Sequence, residues 1–218
     1  MPTLTIAEAK KFYDRFGQKQ DKQDFYEAPA IAALLAHGDF AHARSVFELG
    51  CGTGRLAQML FLNYLPSTSI YRGVDVSSTM VALATDRLSA FSERAVVSIY
   101  SGDSDLPAQS QSVDRFLATY VLDLLPEEGI RRVLDEANRI VQPGGLLCLA
   151  GITPGTTVLS RVVMGLWSGL WSLVPSAVGG CRPIRVSEYL TPGQWRIQHH
   201  RVVAAYGIAS EILIACRE

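Results

Sequence analysis

The chain has 218 residues, which is enough for one well-buried α/β domain and short for two independent domains. Its 20 Lys and Arg residues balance 21 Asp and Glu residues to a formal charge of -1, so no overall basic field would gather nucleic acid or coat an anionic membrane. The four cysteines lie far apart without Cys-x-x-Cys or Cys/His spacing. This argues against a metal site or a disulfide framework and predicts reduced thiols in a cytoplasmic protein.

Two helices are predicted before the first strand. Thr5 and Glu8 have the spacing of a capping box, and apolar residues at helical spacing follow as far as Gly17. The apolar segment 29–37 predicts a second helix, which Gly38 closes. Together they form a predicted N-terminal helical cap over residues 1–43.

Strands and helices then alternate. The predicted strands are 45–49, 70–76, 96–100, 113–119 and 145–151, with helices at 53–64, 77–91 and 126–141. Apolar strands with intervening helices imply a parallel sheet covered on both faces. The runs 197–205 and 208–216 flank Tyr206-Gly207 and predict a hairpin, so the last strand is expected to lie antiparallel. The predicted fold class is a doubly wound α/β fold with a seven-stranded, mostly parallel sheet.

A glycine-rich loop joins the first strand to its helix. The strand passes through Glu48 into Gly50, Gly52 and Gly54. Glycine permits left-handed backbone conformations and lets a ligand rest directly on the backbone amides. The spacing differs from the Gly-x-Gly-x-x-Gly of dinucleotide sites, and a carboxylate at Glu48 would repel a pyrophosphate. The Glu48 carboxylate suits a ligand that carries an ammonium and a sulfonium.

Four motifs in this order resemble the class I S-adenosylmethionine-dependent methyltransferases. They are Glu48-Leu-Gly-Cys-Gly-Thr-Gly54, Gly73-Val-Asp-Val-Ser-Ser-Thr-Met80, Gly102-Asp103 and Pro143-Gly-Gly-Leu-Leu147. The resemblance covers 45–151 and the terminal hairpin, and the aromatic residues Tyr13, Phe25 and Tyr26 are similar to the leader of ubiquinone-biosynthesis and other small-molecule methyltransferases. It implies one methyltransferase domain over 1–218, with a Rossmann-like core at 44–151 and 195–218, and S-adenosyl-L-methionine as cofactor.

The resemblance also implies roles for individual residues. Asp75 ends the second strand, where an acidic side chain can accept from both ribose hydroxyls, although it could also cap a helix. Met80 is expected against the adenine or in the core, and Asp103 is expected on the adenine amino group or in an Asx turn. The full set implied for the cofactor is Glu48, Gly50, Cys51, Gly52, Gly54, Asp75, Val76, Met80, Gly102, Asp103, Ser104 and Tyr120.

Tyr120 and Asp123 are the predicted catalytic residues. They follow the fourth strand at the edge of the sheet where ligands of open α/β sheets bind. Tyr120 could shape the sulfonium pocket, and Asp123 could orient the nucleophile or accept its proton. Asp123 could equally cap the next helix. His199 and His200 fall in the hairpin and are interpreted as solvent or core histidines.

The insertion 152–194 is the most distinctive segment. Two apolar rows start at Val158 and Leu159 and make a wide apolar face. The uncharged stretch 162–174 is too short to cross a bilayer, so no transmembrane segment is predicted. The segment could be a lid over an apolar acceptor, a peripheral lipid contact or a dimer contact. The lid is favoured, because the family resemblance implies that acceptor specificity resides in the N-terminal helices and in this insertion. The polar face lacks the Lys and Arg that anionic lipid attracts, which argues against the lipid contact.

The sequence therefore predicts a methyltransferase whose partner is a small, largely apolar or lipid-like acceptor. The alternative is a methyltransferase-fold binding or regulatory subunit without catalysis. Nucleic acid is not expected as a partner. Monomer and homodimer both stay open, as does the nature of the methylated atom.

Overall fold

The computed structural model describes residues 3–102 and 104–218, apart from the side chains of Lys19 and Lys22. Its strands are β1 Ser45–Leu49, β2 Ile70–Asp75, β3 Ala95–Ile99, β4 Val113–Thr119, β5 Val141–Ile152, β6 Trp195–Ala205 and β7 Ile208–Arg217. Its α-helices are α1 Ile6–Phe16, α2 Asp24–His37, α3 Arg55–Asn63, α4 Ser78–Arg87, α5 Glu127–Ile140 and α6 Val158–Leu173. Short 3₁₀ helices include Gly17–Gln23 and Leu122–Leu124.

The seven strands form one mixed sheet in the order β3-β2-β1-β4-β5-β7-β6. The first five are parallel, and β7 runs antiparallel to both β5 and β6. The predicted doubly wound fold with an antiparallel terminal strand is confirmed. The chain leaves β1 toward β2 on one side and returns to β4 on the other, so the carboxyl ends of β1 and β4 mark the switch point where ligands bind.

Strand β5 and helix α2 begin four or more residues before their predicted starts. Strand β5 begins at Val141, before the expected Pro143-Gly144 turn, because Val141 pairs with Val113 and Leu146 pairs with Arg115. The residues between 141 and 146 form an irregularity within the strand. Helix α2 begins at Asp24, upstream of the predicted start at Pro29. A proline inside a helix removes one backbone donor.

Apolar residues cover both faces of the sheet. Phe47 and Phe116 stack at 5.9 Å between their ring centroids on the side that α5 covers. On the opposite side, Leu34 of α2 and Leu60 of α3 are completely buried. This rigid sandwich fixes the carboxyl edge of the strands. No helix of the described chain is long and apolar enough to span a bilayer.

The predicted first helix is confirmed together with its cap. The Thr5 hydroxyl accepts from the Glu8 amide at 3.2 Å, and the Glu8 carboxylate accepts from the Thr5 amide at 2.9 Å. None of the α1 residues is fully buried. The helix therefore lies on the surface of the protein, over the carboxyl edge of the sheet.

Candidate cofactor and active site

The loop between β1 and α3 is built around its three glycines. Gly50, Gly52 and Gly54 have φ angles of 70°, 53° and 75°, which residues other than glycine rarely adopt. A Cβ atom on Gly50 would also collide with the side chain of Val121, and one on Gly54 would lie 3.0 Å from the Cα of Ala84. The glycines therefore serve both the turn and the close packing of α3 on α4.

Asp75, at the end of β2, ties this loop to the second strand. One carboxylate oxygen accepts from the Gly52 amide at 2.9 Å, and the other accepts from the Ser77 amide at 2.9 Å. Burial raises the pKa of Asp75 above its ordinary value. Each carboxylate oxygen can accept a second hydrogen bond, which is the capacity that a pair of ribose hydroxyls requires.

A cavity of about 530 Å³ runs along this edge of the sheet. Its floor includes Gly50, Asp75, Val76 and Gly102, all predicted to contact the cofactor. Its roof is the inner side of α1, formed by Ile6, Ala9 and Tyr13. The volume lies within the range of small-molecule sites. Asp103, the residue expected at the adenine, lies outside the described residues.

A second cavity of about 70 Å³ adjoins the first. The two share the wall residues Tyr13, Gln20, Gly50, Thr119 and Tyr120. Cys51, Gly52 and Thr53 of the loop also line the smaller cavity. One ligand could therefore lie in both cavities, bent over Gly50 at the switch point of the sheet.

Three acidic residues line the smaller cavity: Asp21, which is paired with Arg87, and the more deeply buried Glu48 and Glu27. Glu48 of β1 is 1% exposed, and the Tyr71 hydroxyl donates to it at 2.5 Å. Burial raises the pKa of Glu48 to about 8. Burial likewise raises the pKa of Glu27 to about 7, although the Tyr26 hydroxyl and the charge of Arg55 act in the opposite direction. Arg55, on the same wall, is paired with Asp24 at 2.6 Å.

Such a cavity favours a cation. A positively charged ligand stabilises the ionised form of a buried carboxyl, whereas an anion would be repelled. The residues therefore fit S-adenosylmethionine, which carries an ammonium and a sulfonium. Glu27 was missed from the sequence, where its signal was an acidic residue just before the apolar segment 29–37.

The 3₁₀ segment Gly17–Gln23 packs against the outer side of the glycine loop between β1 and α3. The Asp21 carboxylate accepts from the Thr53 hydroxyl and from the Arg87 guanidinium, both at 2.7 Å. Gln20 lies directly over Gly52, where a Cβ would approach the Gln20 amide oxygen to 2.6 Å. The sequence predicted neither contact, because both depend on how the N-terminal segment folds back over the sheet.

A family model described as a methyltransferase domain matches residues 46–145, which include β1, the glycine loop, Asp75 and the switch point. Residues 46–145 are therefore a methyltransferase domain. The predicted family is confirmed.

Known proteins resemble this methyltransferase domain in sequence and in fold. The tRNA N(3)-methylcytidine methyltransferase Mettl2 of Drosophila melanogaster is 29% identical over 64% of this chain and 46% of its own length. The chain spans less than half the length of the first curated relatives that it matches. The putative methyltransferase from the Haloferax volcanii complex with the Trm112 activator superposes with a TM-score of 0.74 at 15% identity, covering 96% of this chain and 97% of that one.

A third similar protein is the geranyl diphosphate C-methyltransferase of Streptomyces coelicolor A3(2), solved with Mg²⁺, geranyl diphosphate and S-adenosyl-L-homocysteine. Its TM-score is 0.67 at 12% identity, covering 88% of this chain and 79% of that one. At such identities the two structural likenesses establish the shared fold and no common substrate.

Tyr120 of the methyltransferase domain has a strained backbone. Its φ angle is 56°, and its amide donates to the Ala150 carbonyl at 2.7 Å. The Tyr120 and Ser210 hydroxyl oxygens lie 3.0 Å apart, and its ring meets Tyr26 edge-on at 5.9 Å. A bulky residue in the left-handed region persists only where its surroundings enforce it, and such residues concentrate at functional sites. Here the strain places the ring where the two cavities meet.

Asp123 is completely buried and lines neither described cavity. Its carboxylate accepts from the Ile152 amide at 2.9 Å, and its backbone carbonyl accepts from the Arg182 amide at 3.0 Å. Burial raises the pKa of Asp123 to about 7. In this position it holds the start of the 152–194 insertion to the end of β4.

The remaining predicted residues lie around the edge of the site. Met80 is completely buried in α4 and lines neither cavity, whereas Ser104 is exposed and its carbonyl accepts from the Tyr100 hydroxyl at 2.5 Å. His199 stacks on His37 with 3.6 Å between ring centroids, and His200 pairs with Glu211 at 2.7 Å. His199 and His200 belong to β6, the strand at the edge of the sheet.

Proposed function

We propose that this protein transfers the methyl group of S-adenosylmethionine to a small, largely apolar acceptor, of which lipid-like molecules are one class. The observation that carries the proposal is the pair of adjoining cavities. One has the Asp75 carboxylate on its floor, the other has the Glu48 and Glu27 carboxyls on its wall, and they meet at Gly50 and Tyr120.

The cofactor would be divided between the two cavities. Asp75 would accept from the ribose hydroxyls, with Val76 and Gly102 beside the nucleoside, and the Gly50 region would face the amino-acid end. Glu48 and Glu27 would balance the positive charges. When bound, the cofactor supplies a methyl group on a sulfonium, which is already activated toward nucleophiles.

The protein's own contribution is positioning and the exclusion of water. Ile6, Ala9 and Tyr13 of α1 close the large cavity from above. The Tyr120 ring, fixed by Tyr26 and Ser210, forms part of the wall of both cavities. Holding two reactants in line can lower a barrier by about 7–11 kcal/mol, which is sufficient for a displacement on an activated methyl group.

The outer part of the large cavity supports an apolar acceptor. Beyond the stretch assigned to the cofactor, the wall continues along Leu124, Leu125 and Pro126 and reaches Val133 on α5. Arg132 and Glu136 are the charged residues on this part of the wall. An acceptor with an apolar body and a small polar end fits these walls. The formal charge of -1 gives no general attraction for tRNA.

The test is a transfer assay with methyl-tritiated S-adenosylmethionine and a fractionated cell extract. The expected result is protein-dependent label in the organic-soluble, small-molecule fraction, and none with the Asp75→Ala variant. Label found in the RNA fraction would show that the acceptor class is wrong. Tight cofactor binding without label in any fraction would favour the alternative, a binding subunit without catalysis.

A further inference from the structure

Helix α6 presents an apolar face to solvent. Val158, Leu166 and Leu173 are 81%, 72% and 82% exposed. Val162 and Leu170 between them are also exposed. A row of this length is larger than the single exposed apolar residues of an ordinary surface and indicates a contact surface.

The orientation of α6 is fixed from its other side. Met164 is buried, the Trp167 indole donates to the Cys181 carbonyl at 2.8 Å, and the Trp171 indole donates to the Gly180 carbonyl at 2.9 Å. The tryptophans therefore hold the helix on the segment that follows it. The apolar outer face cannot turn inward without breaking both hydrogen bonds.

The apolar surface continues beyond the helix. The tip of the β6–β7 hairpin lies against α6, since a Cβ on Gly207 would lie 3.5 Å from the Cγ of Leu159. Tyr206 at that tip is 78% exposed and meets the ring of Phe25 at 5.6 Å. The surface thus extends from the outer face of α6 across the hairpin tip to α2.

Gly165 and Gly169 lie at the centre of the outer face. A Cβ on either glycine would have no atom within 4 Å. With about 3.6 residues per turn, the two glycines lie on the same side of α6 as Val158, Val162 and Leu173. They form a shallow groove between larger side chains, into which a second helix could pack closely.

Arg161 is the only charged residue of α6. A helix that rests on lipid carries several Lys or Arg residues on its polar side, and here the opposite side packs on the protein. A surface without repelling charges is compatible with its own copy, and homodimer interfaces are the more hydrophobic class. The occupant that fits is a second copy of this chain.

We propose that the protein forms a twofold dimer in which the α6 helices of two protomers pack antiparallel through this face. A twofold axis that crosses the outer face, midway between Gly165 and Gly169 along the helix, would set Gly165 opposite Gly169 of the partner subunit. Arg161 lies six residues, or about 9 Å, from that axis. It would therefore lie beside Leu173 of the partner subunit, at a helix C-terminus whose free carbonyls and negative dipole end attract a cation.

Sedimentation equilibrium of the full chain tests the dimer. Between about 1 and 100 µM the wild type should be dimeric, and Leu166→Glu should weaken dimerisation by more than about 10-fold while the melting temperature of the monomer is retained. The matched control is Leu62→Glu, since Leu62 is a 65% exposed leucine on α3. A wild-type monomer at all these concentrations, or equal dimerisation by Leu166→Glu, would overturn the proposal.

The antiparallel arrangement has its own test. Arg161→Ala should weaken the dimer several-fold, because the attraction to the partner's helix end is lost. A parallel pair would place two Arg161 side chains together, so tighter association of Arg161→Ala would contradict the antiparallel arrangement. A monomeric wild type that pellets with phosphatidylglycerol vesicles would identify a lipid surface instead and would likewise overturn the dimer.

Discussion

The Asp75 carboxylate accepts a hydrogen bond from the Gly52 amide at 2.9 Å, so the end of β2 and the glycine loop after β1 form one unit. The residue proposed for the ribose thereby also shapes the loop proposed for the amino-acid end of the cofactor. Changes at either position should be felt at both ends of the ligand.

Replacing Asp75 by alanine should weaken binding of S-adenosylhomocysteine by more than about 100-fold. Two charge-assisted hydrogen bonds to the ribose are lost, at about 1.5–3 kcal/mol each, and the Gly52 amide loses its acceptor. Titration calorimetry measures the change. The control is Asp86→Ala, which removes an exposed carboxylate from α4, the helix that follows Asp75. Unchanged affinity of Asp75→Ala would show that the ribose assignment is wrong.

Binding of S-adenosylmethionine should release protons and tighten as the pH rises. The pKa of Glu48 is about 8 and that of Glu27 about 7 because both carboxyls are buried, so at pH 7 Glu48 is mostly neutral. A cation favours the ionised forms and lowers both pKa values. About one proton should leave at pH 7. Each proton released changes the affinity about tenfold per pH unit, so affinity should rise by about 25- to 100-fold from pH 6.5 to 8.5.

Calorimetry in two buffers of different ionisation enthalpy counts these protons. S-adenosylhomocysteine lacks the sulfonium charge and should release fewer. Affinity that is independent of pH, or protons taken up on binding, would mean that the two carboxyls do not face the bound cation.

Glu48→Gln should stabilise the protein at alkaline pH although it weakens cofactor binding. The folded-state pKa of Glu48, about 8, lies above its ordinary value of 4.5. Stability is therefore fully present below pH 4.5 and is lost as the pH rises through 8. A gain of about 2 kcal/mol would raise the melting temperature by about 4–8 °C at pH 8. At pH 5 the gain should be small, and the exposed Glu93→Gln variant should show none at either pH.

Asp14 should control the release of the cofactor. Its carboxylate accepts from the Ser77 hydroxyl at 2.6 Å and from the Thr79 amide at 3.3 Å, which ties α1 over the large cavity. Asp14→Ala should accelerate dissociation of S-adenosylhomocysteine by about 10-fold, the value of one charge-assisted hydrogen bond. Stopped-flow displacement measures this rate, with the exposed Lys11→Ala on the same helix as the control.

The contact between Asp14 and α4 should not depend on pH in the neutral range. Hydrogen bonds from Lys10 and Ser77 lower the pKa of Asp14 to about 2, so the carboxylate stays ionised above pH 4. A dissociation rate that Asp14→Ala leaves unchanged would show that α1 does not gate the cavity.

Local signals in the sequence predicted most of the fold. The Thr5 and Glu8 capping box, the glycine loop and the hairpin around Tyr206-Gly207 each depend on residues close together in the chain. The start of α2 was misplaced because Pro29 is a typical first-turn residue, whereas here it lies inside the helix. The predicted fifth strand was too short at its start, because the sequence of the irregular stretch between Val141 and Leu146 resembles a turn.

The candidate site was predicted in part, namely where local sequence signals place its residues. Glu48, Gly50 and Asp75 lie at strand ends, and parallel strands bring such ends to one edge. Glu27 and Gln20 reach the same edge only because the N-terminal helices fold back across it. No local pattern specifies that packing, so their place in the site required the three-dimensional structure.

A crystal structure of the protein grown with S-adenosylhomocysteine decides whether the two cavities hold one cofactor. Ligand density is expected across both cavities, with ribose hydroxyls on the Asp75 carboxylate and the amino-acid end between Gly50 and Glu48. Density at another place, or cavities that stay empty at millimolar ligand, would contradict this placement of the cofactor.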